Sequence, residues 1–137
     1  MRFDEPGWWY GAADAWQARA LAPVGALVGH LAARRLARTT PYRARLPVIC
    51  VGNFTAGGTG KTPLALHIVA HLQRLGRVPV CLTRGYGGRI AGPHLVDLKR
   101  DIARQTGDEP LLLARRGPTV IARDRAAGAR FIETLAI

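Results

Sequence analysis

Leu46-Pro-Val-Ile-Cys-Val-Gly-Asn-Phe-Thr-Ala-Gly-Gly-Thr-Gly-Lys-Thr-Pro63 is the stretch whose reading decides the fold. Val48, Ile49, Cys50 and Val51 are apolar without alternation, the pattern of a strand buried on both faces of a parallel sheet. A glycine-rich loop follows directly. Gly57, Gly58 and Gly60 let the backbone turn tightly and bring its N–H groups close to an anion, where a Cβ would obstruct the approach. Pro63 suits the first turn of a helix, since its missing N–H removes no intrahelical bond there. Strand, loop and helix N-terminus in that order favour a bound phosphate, because free N–H groups and the helix dipole point at it.

The strict Walker A form asks for Gly five residues before Gly60, and Thr55 stands there instead. An ordinary glycine-rich turn between strand and helix is the alternative. The flanking context favours nucleotide binding by Asn53, Thr55, Ala56, Gly57, Gly58, Thr59, Gly60, Lys61 and Thr62. Lys61 is expected at the β- and γ-phosphates and the Thr62 hydroxyl at Mg²⁺.

A length of 137 residues with 48% hydrophobic content makes one domain, or part of one, with a real core. Cys50 and Cys81 both fall inside apolar runs and read as small buried residues, suited to a reducing cytoplasm. A net charge of +11 calls for an anionic partner: nucleotide, nucleic acid or acidic membrane. No nucleic-acid module is recognisable, and the aromatics do not alternate with basic residues as in a single-strand binder.

Trp8, Trp9, Tyr10 and Trp16 precede an apolar stretch from Ala20 to Ala33, after which Arg34, Arg35, Arg38, Arg43 and Arg45 follow with no acid among them. The stretch is too short to span a bilayer, which needs about 20 apolar residues. Asp4, Glu5 and Asp14 stand where a secretory signal carries positive charge. Two readings remain for this segment, a helix lying in an anionic membrane interface or an amphipathic helix packed on its own domain. The chain thus divides into a helical segment, residues 1–45, and an α/β part, residues 46–137.

Leu64, Ile68, Leu72 and Leu75 keep a helical period, with Gly76 as the stop. His67 and His71 lie four apart on that helix with no third metal ligand in view, and read as solvent-facing or capping. Val78–Thr83 reads as a second buried strand running into Thr83-Arg-Gly-Tyr-Gly-Gly-Arg89. Ligands of open α/β sheets bind at such loops, so Arg84, Gly85, Tyr86 and Gly87 are candidates for substrate or phosphate contact, a mobile surface loop being the alternative. A short Leu95-Val96 segment and a charged helix-like piece lead to Gly107-Asp-Glu-Pro110. Asp108 is well placed as an N-cap; a sharper reading makes it a base that takes a proton from a substrate hydroxyl, and the two roles can coexist. Pro118–Ala122 reads as a third strand and Arg123–Leu135 as a helix carrying Ala126, Ala129, Ile132 and Leu135.

Taken together, Val51–Pro63, Arg84–Gly88 and Gly107–Pro110, with Arg123 ahead of Gly128-Ala129 and the tryptophan-rich start, resemble the tetraacyldisaccharide 4′-kinases of lipid A synthesis. That family shares the Thr55 departure, and it usually has Ser where this chain has Thr83. The resemblance implies a P-loop NTPase-like parallel sheet with flanking helices, preceded by an amphipathic membrane-interface helix. It implies an ATP- and Mg²⁺-dependent kinase on the cytoplasmic face of the inner membrane, phosphorylating a glycolipid, with residues 8–45 on the anionic surface and no nucleic-acid partner. Asp108 takes the role of catalytic base beside Lys61, and Arg123 joins the Arg84–Gly88 loop near glycolipid or phosphates. Family members are about twice this long, and their paired-aspartate segment and the histidine partner of the base fall after Ile137. The expectation is an incomplete domain that by itself binds nucleotide weakly and turns over little substrate. A nucleotide-dependent membrane switch is the alternative function, separated from a kinase by whether free phosphate or phosphorylated lipid is released.

Overall fold

The computed structural model of the chain describes residues 16–52 and 60–135. It divides into two compact units, Met1–Pro41 and Tyr42–Ile137, so Arg43 and Arg45 belong with the α/β unit instead of the helical segment.

Among its described residues the first unit holds one helix, α1, Trp16–Arg38. Thr39 ends it, its N–H donating to the Leu36 carbonyl and its hydroxyl to the Arg35 carbonyl. Pro23 lies inside α1, where its missing N–H leaves the Arg19 carbonyl without the usual intrahelical partner. Leu21, Val24, Val28 and Leu31 recur at alternating three- and four-residue steps along one stripe, and all four are exposed. Gly25 and Gly29 lie off that stripe, and nothing stands within 4 Å of a Cβ built on either. Among the described residues no helix is long and apolar enough to cross a membrane.

The second unit runs α2 (Lys61–Arg74), β1 (Cys81–Thr83), β2 (His94–Leu95), α3 (Ala103–Thr106), α4 (Asp108–Ala114), β3 (Thr119–Ile121) and α5 (Arg125–Thr134). Local rules account for the ends of its longer helices. Gly76, at φ 71°, donates to the Gln73 carbonyl while Arg77 donates to Leu72, the paired bonds that close a helix on a left-handed glycine. Asp124 caps α5 by accepting from the N–H groups of Ala126 and Ala127.

The sheet has the order β1-β3-β2. β1 runs parallel to β3, with Leu82 opposite Val120, whereas β2 is antiparallel to it, with Leu95 opposite Val120. The described sheet is therefore mixed, not parallel throughout. A return strand of only two residues, entered at Gly92-Pro93, carries no periodic signal that a sequence reading could use. β3 is the centre of the core: Thr119, Val120 and Ile121 are wholly buried, joined by Ala122, Leu113 of α4 and Val69 of α2. Each such aliphatic side chain contributes about 1.5–3 kcal/mol relative to exposure. The core contact of α2 runs through Val69, while Leu64 and Leu75 of the expected stripe face outward. Gly128 brings α5 hard against the sheet, since a Cβ there would lie 2.6 Å from a Leu82 methyl and 2.7 Å from the Ala122 Cβ.

Two expectations fail at the chain's opening run. Val48–Val51 forms no strand, Val48 and Ile49 are exposed, and Cys50 is exposed with them. The edge of β1 away from β3 is engaged by a side chain. Cys81 and Thr83 turn their backbone groups toward β3, so those of Leu82 face the other way. The Leu82 carbonyl, which an added strand would use, accepts instead from Arg125 Nη1 at 3.0 Å. Val78 is exposed too, and β1 is shorter than the six residues expected. Cys81 is half-buried in β1; burial pushes its thiol pKa up, with the Thr119 hydroxyl opposing.

Candidate functional site

The site is assembled where β1 and β3 end and α2 and α4 begin. Gly60 stands at the start of α2 in the left-handed conformation, φ 76°, and its carbonyl accepts from the Leu64 N–H. That geometry belongs to glycine and turns the chain directly into Lys61 and Thr62. Asn53, Thr55, Ala56, Gly57, Gly58 and Thr59 lie outside the described residues. Lys61 is exposed at the first position of the helix.

Thr62 is tied across the fold. Its hydroxyl donates to Glu109 Oε1 at 2.9 Å, and the Thr83 hydroxyl approaches Glu109 Oε2 at 3.4 Å. One carboxylate thus joins the start of α2, the end of β1 and the start of α4. Sequence reasoning passed over Glu109, although an acid beside Asp108 in the first turn of a helix was the available signal.

Asp108 does not cap α4. Gly107 holds the cap position at φ 86°, and Asp108 is the first helical residue, exposed, with no capping bond from its side chain. With Gly107 at the cap, the Asp108 carboxylate sits in the first turn of α4, at the positive end of the helix dipole.

The Arg84–Gly88 loop leaves β1 beside these residues. Gly85 and Gly87 have φ of 66° and 80°, and Gly85 is buried under the Ile121 side chain. Arg84, Gly85, Tyr86, Gly87, Gly88 and Arg123 line a cavity of about 440 Å³. The structure therefore brings Arg123 to the loop from beyond β3, where its N–H donates to the Ala91 carbonyl. Tyr86 is 92% exposed, a ring with no protein surface to cover it.

Arg125 is a third arginine at this end, and sequence reasoning missed it. Its pKa is lowered, first by burial and then by the nearby Arg84 charge. A cation in the first turn of α5 opposes the helix dipole, and that was the signal. Arg84, Arg123 and Arg125 together make this end of the sheet strongly electropositive. His67 and His71 are exposed along α2, the latter giving its carbonyl to the Leu75 N–H.

The oxygens of Thr62 and Glu109 are hard donors of the type Mg²⁺ takes. The arrangement as a whole offers a helix N-terminus bearing Lys61, an oxygen pair for a divalent cation, a carboxylate at Asp108 and arginines for anionic groups.

The family profile described as tetraacyldisaccharide-1-P 4′-kinase (LpxK) matches residues 17–136. A protein of Dinoroseobacter shibae named tetraacyldisaccharide 4′-kinase is 55% identical over 130 residues, covering 93% of this chain and 39% of the relative. One of the same name from Methylobacterium radiotolerans is 54% identical, covering 95% and 40%. Another, from Rhodopseudomonas palustris, is 50% identical over 125 residues, covering 91% and 36%. The chain thus spans about two fifths of the length of the curated relatives it matches. No solved structure matches it. With the profile extending over nearly all its residues, the chain belongs to the tetraacyldisaccharide-1-P 4′-kinase family.

Proposed function

We propose that the protein carrying this chain transfers the γ-phosphate of ATP to the 4′-hydroxyl of a tetraacyldisaccharide 1-phosphate, at the cytoplasmic face of a bacterial inner membrane. The observation that carries the reading is the Glu109 carboxylate held against the Thr62 hydroxyl, one residue from Asp108 and one from Lys61. It joins the nucleotide half of a phosphotransfer site to the acceptor half. Family membership supplies the substrate class.

In this reading the loop from Asn53 to Gly60 cradles the phosphates with its amides, and Lys61 compensates charge on the β- and γ-phosphates. Thr62 and Glu109 hold Mg²⁺, whose charge, when bound, offsets that of the phosphates. Asp108 orients the acceptor hydroxyl and accepts its proton as that oxygen bonds to the γ-phosphorus and the bond from the γ-phosphorus to the β,γ-bridging oxygen breaks, releasing ADP. Arg84 and Arg123, with the glycine backbone of Gly85 and Gly87, receive anionic groups of the glycolipid or the phosphates at the cavity they line. Tyr86, exposed on the same loop, offers the sugar an aromatic face. Helix α1 lies in the interface, its leucine and valine stripe in the lipid and its arginines at anionic head groups.

Product analysis with the full-length protein and γ-labelled ATP tests the proposal. Label on the disaccharide lipid supports it. Free labelled phosphate with no labelled lipid contradicts it and favours the switch.

A further inference from the structure

The loop that lines the arginine cavity and the carboxylate of Asp108 are held in register by one short turn, residues 102–107. The Gln105 carbonyl accepts from both the Arg89 N–H at 2.7 Å and the Ile90 N–H at 3.0 Å. A Cβ on Gly88 would lie 2.5 Å from the Thr106 carbonyl carbon, and a Cβ on Gly107 would lie 2.4 Å from the Tyr86 carbonyl oxygen. Thr106 is fully buried, with its hydroxyl 3.2 Å from the Ile102 carbonyl and 3.1 Å from that of Gly107. The turn thus lies in close backbone approach to Tyr86–Ile90 on one side and runs directly into Asp108 on the other.

What fixes the turn itself stands one residue ahead of it. The Asp101 side chain, 10% exposed, accepts at one oxygen from the Asp97 N–H at 2.8 Å and lies 2.7 Å from His94 Nε2. The Asp101 N–H in turn donates to the Asp97 carbonyl at 2.8 Å. His94 belongs to β2, whose partner is Ile121 of the buried strand β3. The line of contact thus runs from the core strand through His94 and Asp101 to Ile102 and into α3. Neither residue touches the cavity or has a place in the proposed chemistry.

We infer that the His94–Asp101 pair is a positioning device for phosphotransfer, anchoring α3 so that Asp108 and the Arg84–Gly88 loop keep their mutual geometry. The inference rests on the kinase reading of Asp108. A misplacement of about 1 Å at a reacting group can cost on the order of 100-fold in rate. Removing the anchor acts first on the acceptor side, because α2, which carries Lys61 and Thr62, is seated on the core through its own buried Val69.

The test uses full-length enzyme with four variants: Asp101→Ala, Asp101→Asn, His94→Ala and His94→Gln. Asp101→Ala and His94→Ala are expected to lower kcat by about 10–100-fold and to raise the KM for the glycolipid, with the KM for ATP within about twofold of the parent. Asn and Gln can still hydrogen-bond across the pair and are expected to restore most of the rate. Parent-like kcat and KM in both alanine variants, assayed below their melting points, would overturn the inference, whatever the drop in Tm. Should Asp101→Ala not fold, the His94 pair decides: equal rates for Ala and Gln refute positioning. Hydrogen exchange gives a readout that does not depend on activity. The alanine variants are expected to exchange faster at Gly85–Ile90 and Gly107–Glu109 together, with Thr119–Ala122 unchanged. If the parent enzyme phosphorylates no lipid, the kinase reading fails, while coupled exchange still reports whether the anchor exists. Unchanged exchange in both segments removes it.

Discussion

The Thr62 hydroxyl donates to the Glu109 carboxylate at 2.9 Å, across 47 positions of sequence. This single bond ties α2, which begins at Lys61, to α4, which begins at Asp108. Removing the carboxylate is expected to cost activity through both halves at once. Glu109→Ala should lower kcat by roughly 10–100-fold, the range typical for residues that orient a metal site. Glu109→Gln, which still accepts from Thr62 but loses the charge, should need more Mg²⁺ to reach half its maximal rate. Rates measured against Mg²⁺ concentration check both, and an unchanged Mg²⁺ requirement in Glu109→Gln would separate Glu109 from the metal.

Gly107 and Gly87 both have positive φ, at 86° and 80°, but only Gly107 is also crowded. At Gly87 nothing stands within 4 Å of a Cβ, so Gly87→Ala should cost only the conformational penalty, about 1–2 kcal/mol. Gly107→Ala adds a clash with the Tyr86 backbone at 2.4 Å and should cost about 1–3 kcal/mol more. Thermal melts of the two variants rank them. Equal Tm values would mean that the contact between the two loops is not as close as described.

Near residue 42 the chain is clasped to α5. The Tyr42 hydroxyl donates to Glu133 Oε2 at 2.7 Å, the Arg45 N–H donates to Oε1 at 2.7 Å, and the Arg130 guanidinium stands 4.7 Å from the centre of the Tyr42 ring. The Glu133 carboxyl is held below its ordinary value, first by the Tyr42 hydroxyl and then by the Arg45 N–H. The Tyr42 phenol is raised above 10.0, chiefly by the same hydrogen bond. The depressed group contributes stability above the ordinary carboxylate value, lost as pH falls through the lower folded value. The raised group contributes below 10.0, lost as pH rises through the higher folded value. The clasp should therefore hold across the whole neutral range and open at both extremes. Following the Tyr42 ring by NMR, Glu133→Gln should return its titration toward 10.0, and an unmoved titration would rule the clasp out.

Helix α1 exposes Leu21, Val24, Val28 and Leu31, and carries Arg35 and Arg38 in its last turn with Arg34 just before them. If it lies on an anionic bilayer, each arginine contributes about 1 kcal/mol. Replacing Arg34, Arg35 and Arg38 by Gln should then weaken binding to phosphatidylserine-containing vesicles by roughly 100-fold. Cosedimentation across a salt series measures it. Equal binding of parent and variant would assign the helix a packing role instead.

Legibility in the sequence followed the range of the interactions. α2 with its Gly76 stop, and α5 near its expected bounds, were readable because periodicity and capping are local signals. β3 was readable as a short apolar run and proved to be the buried centre. The Val48–Val51 run carries the same signal and forms no strand, because an apolar run does not itself encode a neighbour to pair with. At the candidate site the motif residues were visible one by one. Their joining through Glu109, the help of Arg125 and the turn beneath the glycine loop depend on contacts between distant residues, which spacing does not encode.

The central claim is that Asp108 is the group that takes the acceptor's proton, and one comparison tests it most directly. Full-length parent and Asp108→Ala are measured side by side for Mg·ATP affinity by calorimetry and for transfer of labelled phosphate to the disaccharide lipid. The account predicts nearly equal ATP affinity and a transfer rate lower by about 100-fold or more in the variant. Parent-like transfer in Asp108→Ala would contradict it.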